Sequence, residues 1–276
     1  MEKRNLKNWG KGLMMAFLGF GLISLTGCFP EDDPNNPNGT GGGGNTSADS
    51  WAYLINEDVH DVVLDGNTLT YGTHTYTLEG EIDYDVAAYD EPSASLTFTN
   101  IPSGYTEFKA VYENFLCNSI AGTAAMIPMA IEIYARDAEL GTQCLNLLCK
   151  NSVSVANITS ILKTKFNYSA YSPEGDQYVQ RYLPAATLQG ATYSNAYAPN
   201  EPYVVTLSAS PNGYQDAPLT GGTMYYLYIL TSGGWDTYQR AISVFQYYGQ
   251  DIYKLDGCPS CYTQCRPIQG AWAGLK

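Results

Sequence analysis

Three blocks of hydrophobic patterning constrain the fold of this chain more than any other feature. Residues 51–102 form short alternating runs enriched in Thr, Tyr and Val, which is typical of β-strands. Residues 103–166 repeat apolar side chains at helical spacing, and strand patterns return over 202–256. This order predicts an α+β fold with a small N-terminal β meander, a bundle of about four helices and a C-terminal antiparallel sheet.

The turn chemistry and cap signals place the individual elements. The predicted strands are 51–55, 61–64, 67–71, 73–78 and 95–99 in the meander, and 202–210, 223–231, 238–248 and 251–255 in the second sheet. The predicted helices are 103–118, 123–138, 139–150 and 155–166. Ser103 is the predicted N-cap of the first helix, and Pro128 either bends the second helix or marks its true start.

The N-terminal residues have the pattern of an export signal. A basic start is followed by 13 apolar residues, 13–25, which as a helix span roughly 20 Å and fall short of the ~30 Å hydrocarbon core. The run ends in Leu25-Thr26-Gly27-Cys28, which resembles the lipobox of bacterial lipoproteins. That resemblance implies a signal peptide over 1–27, cleavage before Cys28 and lipidation of Cys28, so that the membrane is contacted through a lipid anchor. The alternative is an ordinary secretory signal with a chance cysteine.

Residues 28–50 have almost nothing to bury, being rich in Gly, Asn, Pro and acidic residues. We therefore expect a flexible, disordered tether, with the acidic β-rich region 51–102 and the α+β domain 103–276 following it. The cluster Glu31-Asp32-Asp33 resembles the surface-export signal of Bacteroidota lipoproteins, which implies an outer-membrane location facing the cell surface. A periplasmic face is the alternative.

Charge is distributed very unevenly along the chain. The formal net charge is −13, and residues 28–108 contain 15 acidic and no basic side chains, whereas residues 109–276 are nearly balanced. An acidic chain of this kind is not a nucleic-acid binder.

Within the acidic block, Glu79, Glu81, Asp83 and Asp85 would share one face of a strand, as a candidate cation site or merely as a solvent-exposed face. The metal, if any, is not specified by the pattern, and no EF-hand loop occurs.

Besides Cys28, six cysteines remain, and an oxidising compartment favours disulfides among them. Three lie in the predicted helices (Cys117, Cys144 and Cys149) and three in the Cys-rich tail 257–276 (Cys258, Cys261 and Cys265). Both groups are odd in number, so complete pairing requires at least one bridge between them. Free thiols remain an alternative. A thioredoxin-like role is disfavoured because only 15 residues follow Cys261, and a zinc site lacks a local fourth ligand.

Three stretches, 139–148, 190–203 and 231–240, resemble parts of a bacterial domain family of unknown function. The resemblance covers about residues 105–256. It implies a helical hairpin region ahead of a small sheet, with a proline-rich loop leading into the first strand. Within the third stretch, Asp236 and Arg240 flank a glycine turn as a candidate structural clamp. The resemblance implies an architecture and no activity.

No catalytic residue is predicted. The two histidines, His60 and His74, lie on predicted strands or turns and are interpreted as surface residues, and no phosphate loop, zincin motif or Rossmann fingerprint occurs. No cofactor is expected. We favour a non-enzymatic binding or envelope-assembly module with a glycan or protein partner. A secreted carbohydrate-active hydrolase using paired carboxylates and a purely structural envelope component are the alternatives.

Overall fold

Eight antiparallel strands in chain order form the framework of the described part of the chain. The structure is a computed structural model that describes residues 59–85, 89, 91–166, 180–231, 239–262, 265–270, 272 and 274–276, all within the unit Thr46–Lys276. The strands are β1 (Val62–Asp65), β2 (Thr68–Tyr71), β3 (His74–Gly80), β4 (Ala94–Phe98), β5 (Tyr203–Ala217), β6 (Gly222–Leu230), β7 (Gln239–Tyr247) and β8 (Tyr253–Gly257). The α+β class is confirmed. Residues 51–55 lie outside the described residues.

The strands before and after the helices belong to the same sheet. β4 pairs with β5 in antiparallel register from Ala94 opposite Leu207 to Phe98 opposite Tyr203. Burial alternates along β4 and along the segment 203–207 of β5 that pairs with it, so that one face of the sheet is covered there. The predicted meander and the predicted C-terminal sheet are therefore two halves of one sheet, and the change in charge near residue 108 does not mark a break in it.

The helices are inserted between β4 and β5. They are α1 (Tyr105–Asn114), α2 (Ile120–Ala125), α3 (Ile127–Arg136), α4 (Ala138–Leu148) and α5 (Val155–Phe166). The second predicted helix is two helices, because Pro128 lies in the first turn of α3, where its missing N–H costs no hydrogen bond. The predicted Ser103 cap is wrong. Gly104 occupies the N-cap position, and Ser103 instead hydrogen-bonds the side chain of Glu107.

Small residues bring α2 close to the sheet. Its sequence is Ile-Ala-Gly-Thr-Ala-Ala, and it contacts all five strands from β4 to β8. Ser119 caps the helix by accepting a hydrogen bond from the Gly122 N–H at 3.2 Å. Since every residue from 121 to 125 is buried, α2 is the central contact between the helices and the sheet.

A glycine allows α3 and α4 to approach each other closely. A Cβ atom on Gly141 would lie 2.2 Å from the Tyr134 Cα, a distance that real Cβ contacts do not reach. Asp137 ends α3 and caps α4 by accepting from the Glu139 and Leu140 N–H groups, both at 2.9 Å. The tight turn and the glycine together give the antiparallel packing expected from the short connection.

Candidate binding pocket

A pocket of about 430 Å³ opens between residues 81–85, the far half of the β5–β6 hairpin and the start of α2. Its lining contains three tyrosines, Tyr84, Tyr214 and Tyr225, and four carboxylates, Glu81, Asp83, Asp85 and Asp216. None of the described residues that line it is a Lys, Arg or His. We refer to this site as the tyrosine pocket.

The acidic side of the tyrosine pocket forms because strand β3 ends at Gly80. This glycine has φ +73, and a Cβ atom there would lie 2.3 Å from the Ser93 carbonyl oxygen. Beyond it, Ile82 is buried, and Asp83 Oδ1 accepts a hydrogen bond from the Asp85 N–H at 2.9 Å. The chain therefore turns, and its carboxylates point to solvent.

The predicted strand face of four carboxylates does not form. Glu79 alone lies on β3, and it is not part of the lining, whereas Glu81, Asp83 and Asp85 follow the strand and border the pocket. Among the residues with described positions, no group of three or more His, Cys, Asp or Glu side chains is placed to hold a metal ion.

The tyrosine side of the pocket depends on the β5–β6 register. A bulge between Ala209 and Tyr214 shifts the pairing so that Tyr214 lies opposite Tyr225. The two ring centroids are 6.1 Å apart, and the Tyr84 ring lies 5.9 Å from Tyr214 and 6.2 Å from Tyr225. The three rings thus pack against one another, and Tyr214 remains 58% exposed.

Hydrogen bonds fix the hydroxyl groups of two of these tyrosines. The Tyr84 hydroxyl donates to the Tyr226 carbonyl oxygen at 2.9 Å, and the Tyr225 hydroxyl donates to Gln246 Oε1 at 3.3 Å. Burial, with the neighbouring Tyr225 and Tyr253 phenols, raises the pKa of Tyr84, so its hydroxyl stays protonated. Ring surface, rather than a titrating phenol, is what this side offers to a ligand.

Asp216, on strand β5, is the fourth carboxylate at the mouth of the pocket. It lies across from Thr223, and its Oδ1 accepts a hydrogen bond from the Thr223 hydroxyl at 3.0 Å. Asp216 and the three carboxylates of 81–85 are all exposed. Sequence reasoning missed Asp216 and the three tyrosines as site residues. The only signal was the tyrosine enrichment of the second sheet.

A single buried carboxylate lies between β3 and α1, surrounded by hydrogen-bond donors. Glu107 is only 1% exposed, and its Oε1 contacts His74 Nδ1 and accepts from the Tyr76 hydroxyl, both at 2.7 Å. Its Oε2 accepts from the Ser103 N–H at 2.7 Å and from the Ser103 hydroxyl at 2.8 Å. We call these four residues the Glu107 network. The interpretation of His74 as an ordinary surface histidine is wrong, since it forms an ion pair with a buried carboxylate.

The Glu107 network is structural in geometry. The Ser103 hydroxyl donates to the Glu107 carboxylate and not to His74. The three residues therefore do not form a Ser-His-Asp arrangement, in which the histidine accepts the serine proton. Burial alone would raise the pKa of Glu107, but the hydrogen bonds from His74, Ser103 and Tyr76 outweigh it and the pKa is lowered. The hydrogen bond to Glu107 raises the pKa of His74 against the effect of burial. Together the shifts favour a charged pair.

All six cysteines of the globular region are buried free thiols, and the structure contains no disulfide among them. Burial raises the pKa of Cys149 to about 12 and that of Cys265 to about 11, so neither is a reactive thiolate.

Arg240 is buried and its Nη2 lies 3.5 Å from Cys265 Sγ. Its predicted clamp partner Asp236 lies outside the described residues, as does Cys28.

The sequence profile of one protein family, described as a domain of unknown function (DUF6935), matches residues 100–269. The chain belongs to this family. The matched region includes the helices and strands β5 to β8, so the tyrosine pocket joins Tyr214, Tyr225 and Asp216 from inside it to residues 81–85 from outside it. No curated protein and no solved structure matches the chain. Among the described helices, none combines the length and hydrophobicity needed to cross a bilayer.

Proposed function

We propose that this chain is an exported, lipid-anchored binding protein without enzymatic activity, and that its ligand site is the tyrosine pocket. The lipobox-like segment ending at Cys28, the tether 28–50 and the acidic residues 31–33 support an outer-membrane anchor with the folded part facing the cell surface. The pocket is the observation that supports binding, because it combines a cavity, exposed aromatic surface and charge of one sign.

The chemistry of the lining favours a positively charged ligand group. The described lining contains four carboxylates and no basic side chain, so the pocket attracts a cation and repels an anion. Tyrosine ring faces bind ammonium and guanidinium groups through their quadrupole. The block 28–108, with 15 acidic and no basic residues, extends the attraction beyond the pocket. A basic segment of a protein partner, inserting a Lys or Arg side chain into the cavity, satisfies all three features.

A carbohydrate hydrolase is the second candidate, because aromatic rings beside carboxylates also occur in glycosidase clefts. Such an enzyme needs a carboxylic acid that remains protonated near neutral pH, usually through burial in apolar surroundings. Glu81, Asp83, Asp85 and Asp216 are all exposed, which favours binding over hydrolysis.

Calorimetric titration of the full chain with an end-blocked tetrapeptide of Lys and Arg tests the binding proposal. We expect binding that weakens with added salt, and a loss of about fivefold in Asp216→Asn or Tyr214→Ala, since exposed charge and cation–π contacts contribute about 1 kcal/mol each. The matched controls are Glu79→Gln, an exposed carboxylate outside the lining, and Tyr248→Ala, a tyrosine that is 55% exposed elsewhere. Both should bind like the unmodified chain.

Three results would contradict the proposal. Salt-independent binding of a neutral oligosaccharide such as chitotriose, equally sensitive to Tyr214→Ala, would identify a glycan site. Release of new reducing ends from that oligosaccharide would identify a hydrolase. Equal peptide affinity in the pocket variants and in the controls would place the ligand elsewhere.

The anchor is tested separately by Cys28→Ser. We expect this variant to leave the membrane fraction and to lose incorporation of labelled palmitate, because the thiol that carries the lipid is gone. Cys144→Ser, which alters a buried thiol of α4, is the control and should remain membrane-bound. Unchanged membrane association of Cys28→Ser would refute lipidation.

A further inference from the structure

Three thiols from distant parts of the sequence meet beside strand β8. The chain leaving α4 at Cys149 runs along β8, where Cys149 forms a parallel bridge with Leu255 and the Lys150 N–H donates to the Leu255 carbonyl oxygen at 2.7 Å. Beyond the end of β8 lie Cys258 and Cys261, close enough to Cys149 to interact with it electrostatically. Because a disulfide joins two thiols, at most two of these three can pair with each other.

Cys258 and Cys261 are held in contact by one tight turn. Residues Pro259–Tyr262 form a turn of 3-10 helix, and the Cys261 N–H donates to the Cys258 carbonyl oxygen at 2.9 Å. The two thiols hydrogen-bond each other, and they are 1% and 2% exposed. The Ser260 hydroxyl donates to the Ala241 carbonyl oxygen at 3.0 Å, which fixes the turn against β7.

The third cysteine of the tail is held away from this pair. Cys265 exchanges two backbone hydrogen bonds with the Gln180 side chain, at 3.0 and 3.1 Å, and its sulfur lies near Arg240. Both Gln180 and Cys265 are buried. Because this arrangement orients Cys265 toward Gln180 and Arg240, Cys258 is the thiol that meets Cys261 most directly.

We propose that Cys258 and Cys261 form a disulfide with each other in the mature protein, and that Cys149 and Cys265 remain thiols. In this reaction the two sulfurs lose their protons and together two electrons, and an S–S bond forms between them. A disulfide oxidant of the glutathione type accepts the electrons and protons, its own S–S bond breaks, and two thiols leave. The exchange takes place before the turn docks on β7, since the folded protein buries both sulfurs. The bridge between helices and tail required by complete pairing is then not formed.

Differential alkylation of the full chain tests this pairing. The protein is refolded with oxidised glutathione, denatured, labelled with one maleimide, reduced and labelled with a second. Cleavage after Lys254 gives one peptide with all three tail cysteines. We expect the first label on Cys265 alone and the second label on Cys258 and Cys261. Cleavage after Arg136 and after Lys150 gives the peptide with Cys144 and Cys149, which should carry the first label at Cys149.

Two variants make the result specific. Cys258→Ser should expose Cys261 to the first label, whereas the control Cys265→Ser should leave the second label on Cys258 and Cys261 unchanged. First label on all three tail cysteines of the unmodified chain would overturn the proposal. So would the second label on Cys149 together with a tail cysteine, or the first label on Cys258 with the second label on Cys261 and Cys265.

Discussion

The Glu107 network and the tyrosine pocket use the same residue types, carboxylates and tyrosines, at two places on one sheet. Glu107 is buried, and both of its oxygens have protein partners within 2.8 Å. The pocket carboxylates are exposed, and the hydrogen bonds that Asp83 and Asp216 form with described residues engage one oxygen of each. A buried carboxylate whose hydrogen bonds are satisfied therefore stabilises the fold, whereas exposed carboxylates retain hydrogen-bonding capacity for a ligand.

Glu107→Gln should give the largest change that separates the two clusters. The amide cannot accept from His74, Tyr76 and Ser103 together, and it breaks a buried ion pair, so we expect the free energy of unfolding to fall by about 3 kcal/mol. Urea denaturation measures this loss. Glu113→Gln, an exposed carboxylate on the same helix, is the control and should change stability by less than about 0.5 kcal/mol. Equal effects would mean that burial of Glu107 is not the cause.

Tyr76→Phe should have a smaller effect of the same kind. It removes one hydrogen bond to a charged acceptor at 2.7 Å, for which we expect a loss of about 2 kcal/mol in urea denaturation. Tyr214→Phe removes the hydroxyl of an exposed tyrosine of the pocket and should stay within about 0.5 kcal/mol. A comparable loss in both variants would erase the distinction between the clusters.

The pH dependence of stability should distinguish the two groups next. The lowered pKa of Glu107 stabilises the fold above about 4.5, and this contribution is lost as the pH falls through the folded-state value. The raised pKa of His74 stabilises below about 6.5, and that contribution is lost as the pH rises through its folded-state value. Urea midpoints should therefore show a maximum between these values that Glu107→Gln abolishes. A maximum that survives this substitution would assign it to other groups.

Asp216→Asn should have the smallest effect on stability. Its side chain is exposed and its hydrogen bond to the half-buried Thr223 is solvent-accessible, so the change in unfolding free energy should be within about 0.5 kcal/mol while cation binding weakens. Thermal denaturation and titration of the same preparation measure both quantities. A large loss of stability would mean that the pocket rim is part of the fold's support and not a surface available to a ligand.

Local sequence signals predicted the elements well because each depends on neighbouring residues. Pro128 predicts a helix start or bend from its own chemistry, and the strands around Asp65-Gly66 follow from turn chemistry. The Glu107 network had no local signal, because His74 and Glu107 are 33 residues apart and meet only when α1 packs on β3. Likewise Tyr84 meets Tyr225 only through the bulged β5–β6 register, which no pattern in the sequence specifies.

The pairing of β4 with β5 has a consequence for how this molecule assembles. Hairpins such as β1–β2 and β6–β7 pair residues that are close in the sequence. Phe98 and Tyr203, which pair across β4 and β5, are separated by more than 100 residues. Closing a loop of that length costs about 4 kcal/mol of chain entropy, which local pairing does not have to overcome. The intervening helices shorten the effective separation only once they have docked. Among the strand pairings of the described sheet, β4 with β5 therefore joins residues that lie farthest apart in the sequence, and protection of its backbone amides reports on completed formation of the sheet.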